Sequence, residues 1–317
     1  MISRRILRIK ILQLLYAYFQ NAETSLDKFE KELFFSIRKT FDLYHYLLLL
    51  IVELADYAAA RIEIARQKKI PTREDLNPNT KFIDNAVIHQ IRMNRQLNRY
   101  LQSTKLSWLN SPELIKKLHN RIRMTQFFKD YMEDVNRDYE KDKKLIIDIY
   151  INEIVNFDQI YQTLEEQSIF WNDELEFVVS MIAKTIKGFR ENDLEDAQLM
   201  QLFKNEEDQE FVKNLFRKVI LHKEENQQLI ESFTENWDIE RIAFMDFLIM
   251  EMAITEAVEF PSIPTRVTIN EYLEIAKYYS TEKSSVFING LLDKIFKHLK
   301  EKKKIVKTGR GLIGEVD

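Results

Sequence analysis

A chain of 317 residues is long enough for about two domains, and its 45% hydrophobic and 12% aromatic content is ample for a packed core, which excludes global disorder. It has no cysteine, which excludes disulfides, thiolate metal sites and a cysteine nucleophile, while only five glycines and five prolines point to an all-α chain. With 47 Lys or Arg against 51 Asp or Glu the net charge is −4, so any attraction for nucleic acid has to come from local patches.

The first helix is predicted over residues 3–19. Its opening, MISRRILRIKILQLL, is basic and then apolar, but Arg8 and Lys10 interrupt the apolar run and no small-residue cleavage site follows. An amphipathic helix is therefore the reading, not a secretory leader. Leu7, Ile11, Leu14, Leu15 and Tyr18 form its apolar stripe. Arg4, Arg5 and Arg8 fall within one arc of about 100°. Three guanidiniums on one face at the positive end of a helix dipole suit a phosphate backbone, and a merely solvated cluster is the alternative.

A long helical stretch follows over 26–68, split or kinked near Thr40. Its apolar run YLLLLIV at 46–52 is far short of the roughly 20 residues a spanning helix needs, so no membrane association is expected and the compartment is read as cytoplasmic. Pro71 and Pro78 bracket a polar loop. Helices are then predicted over 80–103, 112–137, 141–166, 173–189 and 194–204, with Ser111 as N-cap and Pro112 at the first helical position of the second.

Residues 92–129 carry Arg92, Arg95, Arg99, Lys105, Lys116, Lys117, Arg121, Arg123 and Lys129 against a single acid, Glu113. Arg92, Arg95 and Arg99 recur at i, i+3 and i+7 and so share a helical face, with Trp108, Phe127 and Phe128 nearby. This stretch is either an added RNA surface or a solvated basic face. The tail 301–317, with Lys302, Lys303, Lys304, Lys307 and Arg310, is expected to be basic and mobile.

Enzyme signatures are missing: there is no G-x-G-x-x-G, no Walker loop and no H-E-x-x-H, and the five histidines have no ligand spacing. No catalytic residue, metal site or cofactor is assigned, and the chain is read as a non-enzyme.

The most specific pattern lies near the C-terminus. Trp237, Ile239-Glu-Arg241, Met245-Asp246, Ile263-Pro264, Val267-x-Ile-Asn-Glu271, Glu274-x-Ala-Lys277 and Phe287-x-Asn-Gly-x-Leu-Asp-Lys294 occur in order. Thr268-Ile-Asn-Glu271 has the form of a capping box opening a helix. The helix over 239–257 is apolar nearly all round, which marks it as central. Gly290 inside the last helix suggests close helix approach.

This set resembles the NusB family of transcription antitermination factors. Residues 208–237 look like the family's preceding helix pair, and Arg4-Arg5 through Gln13-x-Leu-Tyr16 like its basic first helix. The resemblance implies an all-α, NusB-like core of two three-helix bundles. Its first helix is 1–20, its C-terminal core 206–300, and an inserted helical region fills 21–205.

It further implies a factor that binds boxA-type single-stranded RNA together with NusE, a small ribosomal-subunit protein, and joins the RNA polymerase antitermination complex. Arg4, Arg5, Arg8, Lys10, Tyr279, Lys283 and Phe287 are its implied RNA contacts, and Phe287 is also readable as core. Arg241, Asp246 and Glu251 lie on the implied partner face; an intrachain ion pair is the alternative for that face. NusB-like domains also front some ribosomal-RNA cytosine methyltransferases, but these need a cysteine nucleophile that this chain lacks. A helical interaction scaffold with vestigial RNA binding is the remaining alternative.

Overall fold

The structure, a computed structural model, describes residues 2–21, 25–203, 205–234 and 243–314. Among them there is no strand. The helices are α1 (Arg4–Gln20), α2 (Leu26–Arg66), α3 (Arg73–Leu76), α4 (Ala86–Met93), α5 (Arg95–Thr104), α6 (Pro112–Met124), α7 (Gln126–Glu133), α8 (Tyr139–Asp148), α9 (Asp158–Gln167), α10 (Leu175–Gly188), α11 (Glu206–Leu221), α12 (Lys223–Ser232), α13 (Phe244–Glu259), α14 (Thr265–Tyr279) and α15 (Glu282–Glu301). A π-helical segment, Ile149–Ile154, continues α8. The all-α expectation holds. The chain forms two compact units, one of Met1–Ile37 with Phe203–Asp317 and one of Arg38–Leu202. The first boundary falls inside α2, whose residues 26–37 join the first unit, instead of at residue 20.

In the first unit α13 is central, as its apolar sequence predicts: it packs on α1, α11, α12, α14 and α15. Two mutually packed triads, α1–α11–α13 and α13–α14–α15, share it. Everything from Leu248 to Ala257 on this helix is buried. The link to α14 is set by proline. Pro264 is the N-cap, so α14 opens at Thr265, three residues before the expected capping box. Thr268 and Glu271 are thereby inside the helix, and their side chains serve other partners.

The C-terminal segment, expected to be mobile, packs on the α13–α14 link through Lys307, Thr308 and Gly311, and residues 312–314 are exposed. Lys303 adopts a left-handed φ of 56° and turns the chain off α15. Lys307 Nζ then donates to the carbonyls of Ala257 (2.7 Å) and Phe260 (3.1 Å), and Thr308 N–H to that of Pro261. Gly311 sits so close that an added Cβ would lie 1.9 Å from the Pro261 oxygen. Gly290 is the opposite case. It is exposed, and a Cβ there would meet nothing within 4 Å, so the expected close helix approach is absent.

The second unit is organised on residues 38–66 of α2, which run unbroken through Thr40. The buried Thr40 hydroxyl donates to Glu174. Trp108 is no nucleic-acid platform: it stacks on Tyr46 at 3.9 Å in the core and donates its indole N–H to the Tyr46 carbonyl. Trp171 likewise donates to the Lys39 carbonyl, and Tyr150 to that of Leu47.

Three predicted helices are divided: that over 141–166 breaks at 155–157 before α9, and two others break at a capping residue. Asn94 ends α4 and caps α5, accepting from Gln96 N–H and Leu97 N–H while its amide donates to the Ala197 carbonyl. Thr125 ends α6 and caps α7 in the same way. The break at Asn94 separates Arg92 from Arg95, so the expected arginine face does not form. Arg92 pairs with Asp56, and Arg95 with Glu195 and Asp196. Ser111 and Pro112 open α6 as expected, although the serine side chain makes no capping bond. Over 194–204, where a helix is predicted, the described residues hold only the end of a 3-10 turn at Glu191–Asp196, with Leu194 inside it at φ 47°.

Because Gly290 lies mid-helix and its space is open, Gly290→Ala should stabilise the protein by about 0.5–1 kcal/mol in urea unfolding, through backbone entropy alone.

Candidate nucleic-acid interface

The cationic arc of α1 is engaged by carboxylates of its own unit. Ser3 starts the helix, its hydroxyl accepting from Ile6 N–H. Arg4 Nε donates to Asp208 at 2.9 Å, and its guanidinium lies 5.0 Å over the Phe211 ring. Arg5 grips Glu271 with two bonds of 3.0 and 2.8 Å. Arg8 grips Glu256 with two of 2.6 and 2.8 Å. The planar guanidinium fork matches a carboxylate at both points, the strongest form such a hydrogen bond takes.

These three pairs differ in depth. The Arg8 side chain is 3% exposed and that of Glu256 is 0%. Glu256 also accepts from Thr268 Oγ1 at 2.9 Å and from Tyr272 OH at 3.1 Å, so both its oxygens are saturated. Burial works against the charge on Arg8, but the Glu256 carboxylate more than reverses this, and the guanidinium pKa is raised. Arg8 therefore faces protein, not RNA. Lys10, 1% exposed, is buried as well. The arc rule identified a shared face correctly but could not say what lay opposite it. Arg4 and Arg5 keep 35% and 37% of their side chains exposed, so their outer N–H groups stay within reach of an anion.

Helix α1 lies on α14. Gln13 Nε2 donates to the Tyr279 hydroxyl at 3.1 Å, which fixes that half-buried ring against the first helix. Around the α14–α15 turn the surface is open. Tyr278 is 66% exposed and Val286 76%, Lys277 and Lys283 are exposed, and Phe287 is half-buried. Tyr278 is missing from the sequence-derived set, although a Tyr-Tyr pair ending an amphipathic helix already implies that one ring faces out.

On the implied partner side, Arg241 and Trp237 lie outside the described residues. Asp246 is buried. One of its oxygens accepts from the Ser280 hydroxyl and the other from that of Ser284 at 2.8 Å, so it anchors the α14–α15 turn inside the chain. Glu251 is buried as well, and desolvation pushes its carboxyl from the ordinary 4.5 up to about 7, against a small opposing pull from Lys223. Neither is an exposed contact in this conformation.

The histidines bring no ligand set together: no group of three or more His, Cys, Asp or Glu side chains suited to a metal occurs among the described residues. Nor is any described helix long and apolar enough to cross a membrane.

The fold and this surface define an all-helical protein whose C-terminal unit is organised on one buried central helix. A family model described as "NusB family" matches residues 174–297. Three relatives carry the name transcription antitermination protein NusB. That of Salinibacter ruber is 43% identical over 105 residues, 33% of this chain and 66% of its own length. That of Chloroherpeton thalassium is 38% identical over 104 residues, 33% of this chain and 49% of the relative. That of Natranaerobius thermophilus is 49% identical over 72 residues, 23% and 52%. No solved structure matches. The C-terminal part of this chain is thus a NusB-family domain, and the chain spans about half to two-thirds of the length of these relatives. The family match does not reach α1.

Two outcomes test these assignments. Arg8→Ala or Glu256→Ala should each cost about 3–5 kcal/mol in chemical unfolding, since either leaves a buried charge without its partner, while Arg8→Met combined with Glu256→Leu should recover most of the loss. Glu251 gives a pH signature. The folded state keeps a proton that the unfolded state releases, so stability should fall as pH rises from about 4.5 to about 7 and then level off. Glu251→Gln should remove that slope, gaining up to roughly 3 kcal/mol at pH 8 and almost nothing near pH 4.

Proposed function

We propose that this chain is a non-enzymatic, cytoplasmic transcription antitermination factor that binds boxA-type single-stranded RNA of ribosomal-RNA leaders together with NusE and carries both into the RNA polymerase antitermination complex. One observation carries the reading: the family-matched segment contains the α14–α15 turn, and there the surface is open, basic and aromatic. Unpaired bases stack on flat side chains while lysine and arginine hold phosphates, which is how single strands are recognised without a deep groove.

In this reading Tyr278, Lys283 and the half-buried Phe287 and Tyr279 form the centre of the contact. Arg4 and Arg5 lie at its edge and share their outer N–H groups with phosphate. Arg8 acts from inside, by holding α1 against α13 through Glu256 and α14 through Glu271, and Lys10 is buried rather than in contact with RNA. NusE docks at the start of α13, where Phe244 is 38% exposed. Arg241 is assigned to that contact, and Asp246 and Glu251 shape the helix behind it.

Fluorescence anisotropy with a boxA RNA, with and without NusE, tests this. Tyr278→Ala with Lys283→Glu should weaken binding about tenfold or more with unchanged helicity, and the lysine change should reduce the salt slope by about one. Because the α1 arginines are already paired within the chain, a protein-interaction scaffold is the second reading. No RNA binding under either condition would select it.

A further inference from the structure

Outside the family match, the second unit contains a cavity of about 350 Å³ between α2, α6 and α7, closed on one side by the loop after α3. That size is within the roughly 300–1,000 Å³ usual for small-ligand sites. Its inner wall is aromatic: Phe82 and Phe128 meet edge to face at 5.3 Å, and His119 lies 6.4 Å from Phe82. His119 is 4% exposed, and its Nδ1 is buried with no hydrogen-bond partner. An unsatisfied buried nitrogen costs stability, but this one has no surface open to the cavity and so is not a ligand contact.

The charge of the lining is polarised. Arg61 and Arg123, both exposed, belong to the α2 and α6 sides, and Arg61 is steadied by a 3.0 Å bond to the Asn120 amide oxygen. Burial first, then these two guanidiniums, push the His119 ring down to about 4, so it is neutral near pH 7. Across the lining Asp75 is already held by Lys68 at 2.9 Å. A second, open groove of about 530 Å³ shares Arg123, Phe128 and Met132 with the cavity. A purely apolar ligand would leave both guanidiniums unused. A simple anion would leave the aromatic wall unused.

We propose that this cavity is a nucleotide site, in which a base lies against Phe82 and Phe128 and its phosphate meets Arg61 and Arg123. The nucleotide is either free or part of a single-stranded RNA. Only the second source rests on the function proposed above. The groove sharing Arg123 and Phe128 gives a strand a path out of the cavity.

The test uses the full-length protein. Calorimetric titration with adenosine and uridine 5′-monophosphates measures the free-nucleotide arm. Photocrosslinking of a 4-thiouridine-bearing single-stranded RNA, mapped to peptides, measures the strand arm. Arg61→Ala with Arg123→Ala changes only exposed side chains and should lower affinity in the relevant arm at least tenfold with unchanged helicity and melting. Arg123→Lys should lose less. Saturable monophosphate binding that the double variant abolishes supports a free nucleotide. Crosslinks to peptides holding Phe82 or Phe128, lost in the double variant, support an RNA-borne one. If RNA crosslinks only to α1, α14 and α15 and no monophosphate binds, the pocket proposal is overturned while the antitermination reading stands. Binding that the double variant leaves unchanged overturns it too.

Discussion

The first unit depends on the buried pair of Arg8 and Glu256. It ties α1 to α13, and through Thr268 and Tyr272 it draws in α14, so three helices meet on one carboxylate. Taking two charges out of water is unfavourable unless geometry is good and the remaining lone pairs are filled, and here four donors converge on Glu256. The result is directional. Apolar packing alone would allow α1 to slide or rotate on α13; a bidentate bond allows one register.

That register positions everything nearer the surface. With Arg8 seated, Arg5 meets Glu271 and Arg4 meets Asp208, and Gln13 arrives at the Tyr279 hydroxyl. At the other end of α14, Asp246 binds Ser280 and Ser284 and sets how α15 departs. The open edge carrying Tyr278 and Lys283 is therefore supported by two buried carboxylates of α13, one toward each end of α14. Residues that read from sequence as contacts are in part the supports of contacts.

Much of this was legible in the residues and some was not, for identifiable reasons. The centrality of α13 followed from its all-round apolar character, and the start of α6 from Pro112. The capping-box pattern at Thr268 and Glu271 misled because it ignores what precedes it: Pro264 already starts the helix, and the same two side chains are needed by Glu256 and the arginines. A sharper signal was present. Glu256 stands in the apolar run of α13, and Arg8 and Lys10 interrupt the apolar run of α1. A charge in an otherwise buried stripe demands an opposite charge elsewhere. The breaks at Asn94 and Thr125 were invisible to periodicity, since one capping side chain interrupts a helix without disturbing its apolar spacing. The cavity at His119 had no sequence signature, because its walls come from three separate helices and the loop after α3.

The separation of Arg8 and Glu256 by 248 positions also has a consequence for biosynthesis. At roughly 5–20 residues per second, the ribosome delivers the glutamate on the order of tens of seconds after the arginine has left the exit tunnel. Throughout that interval the nascent first helix displays its apolar stripe with no α13 to receive it, while the intervening unit has time to assemble. Chaperone dependence of this protein should therefore concentrate in its first twenty residues, and slowing translation should prolong it.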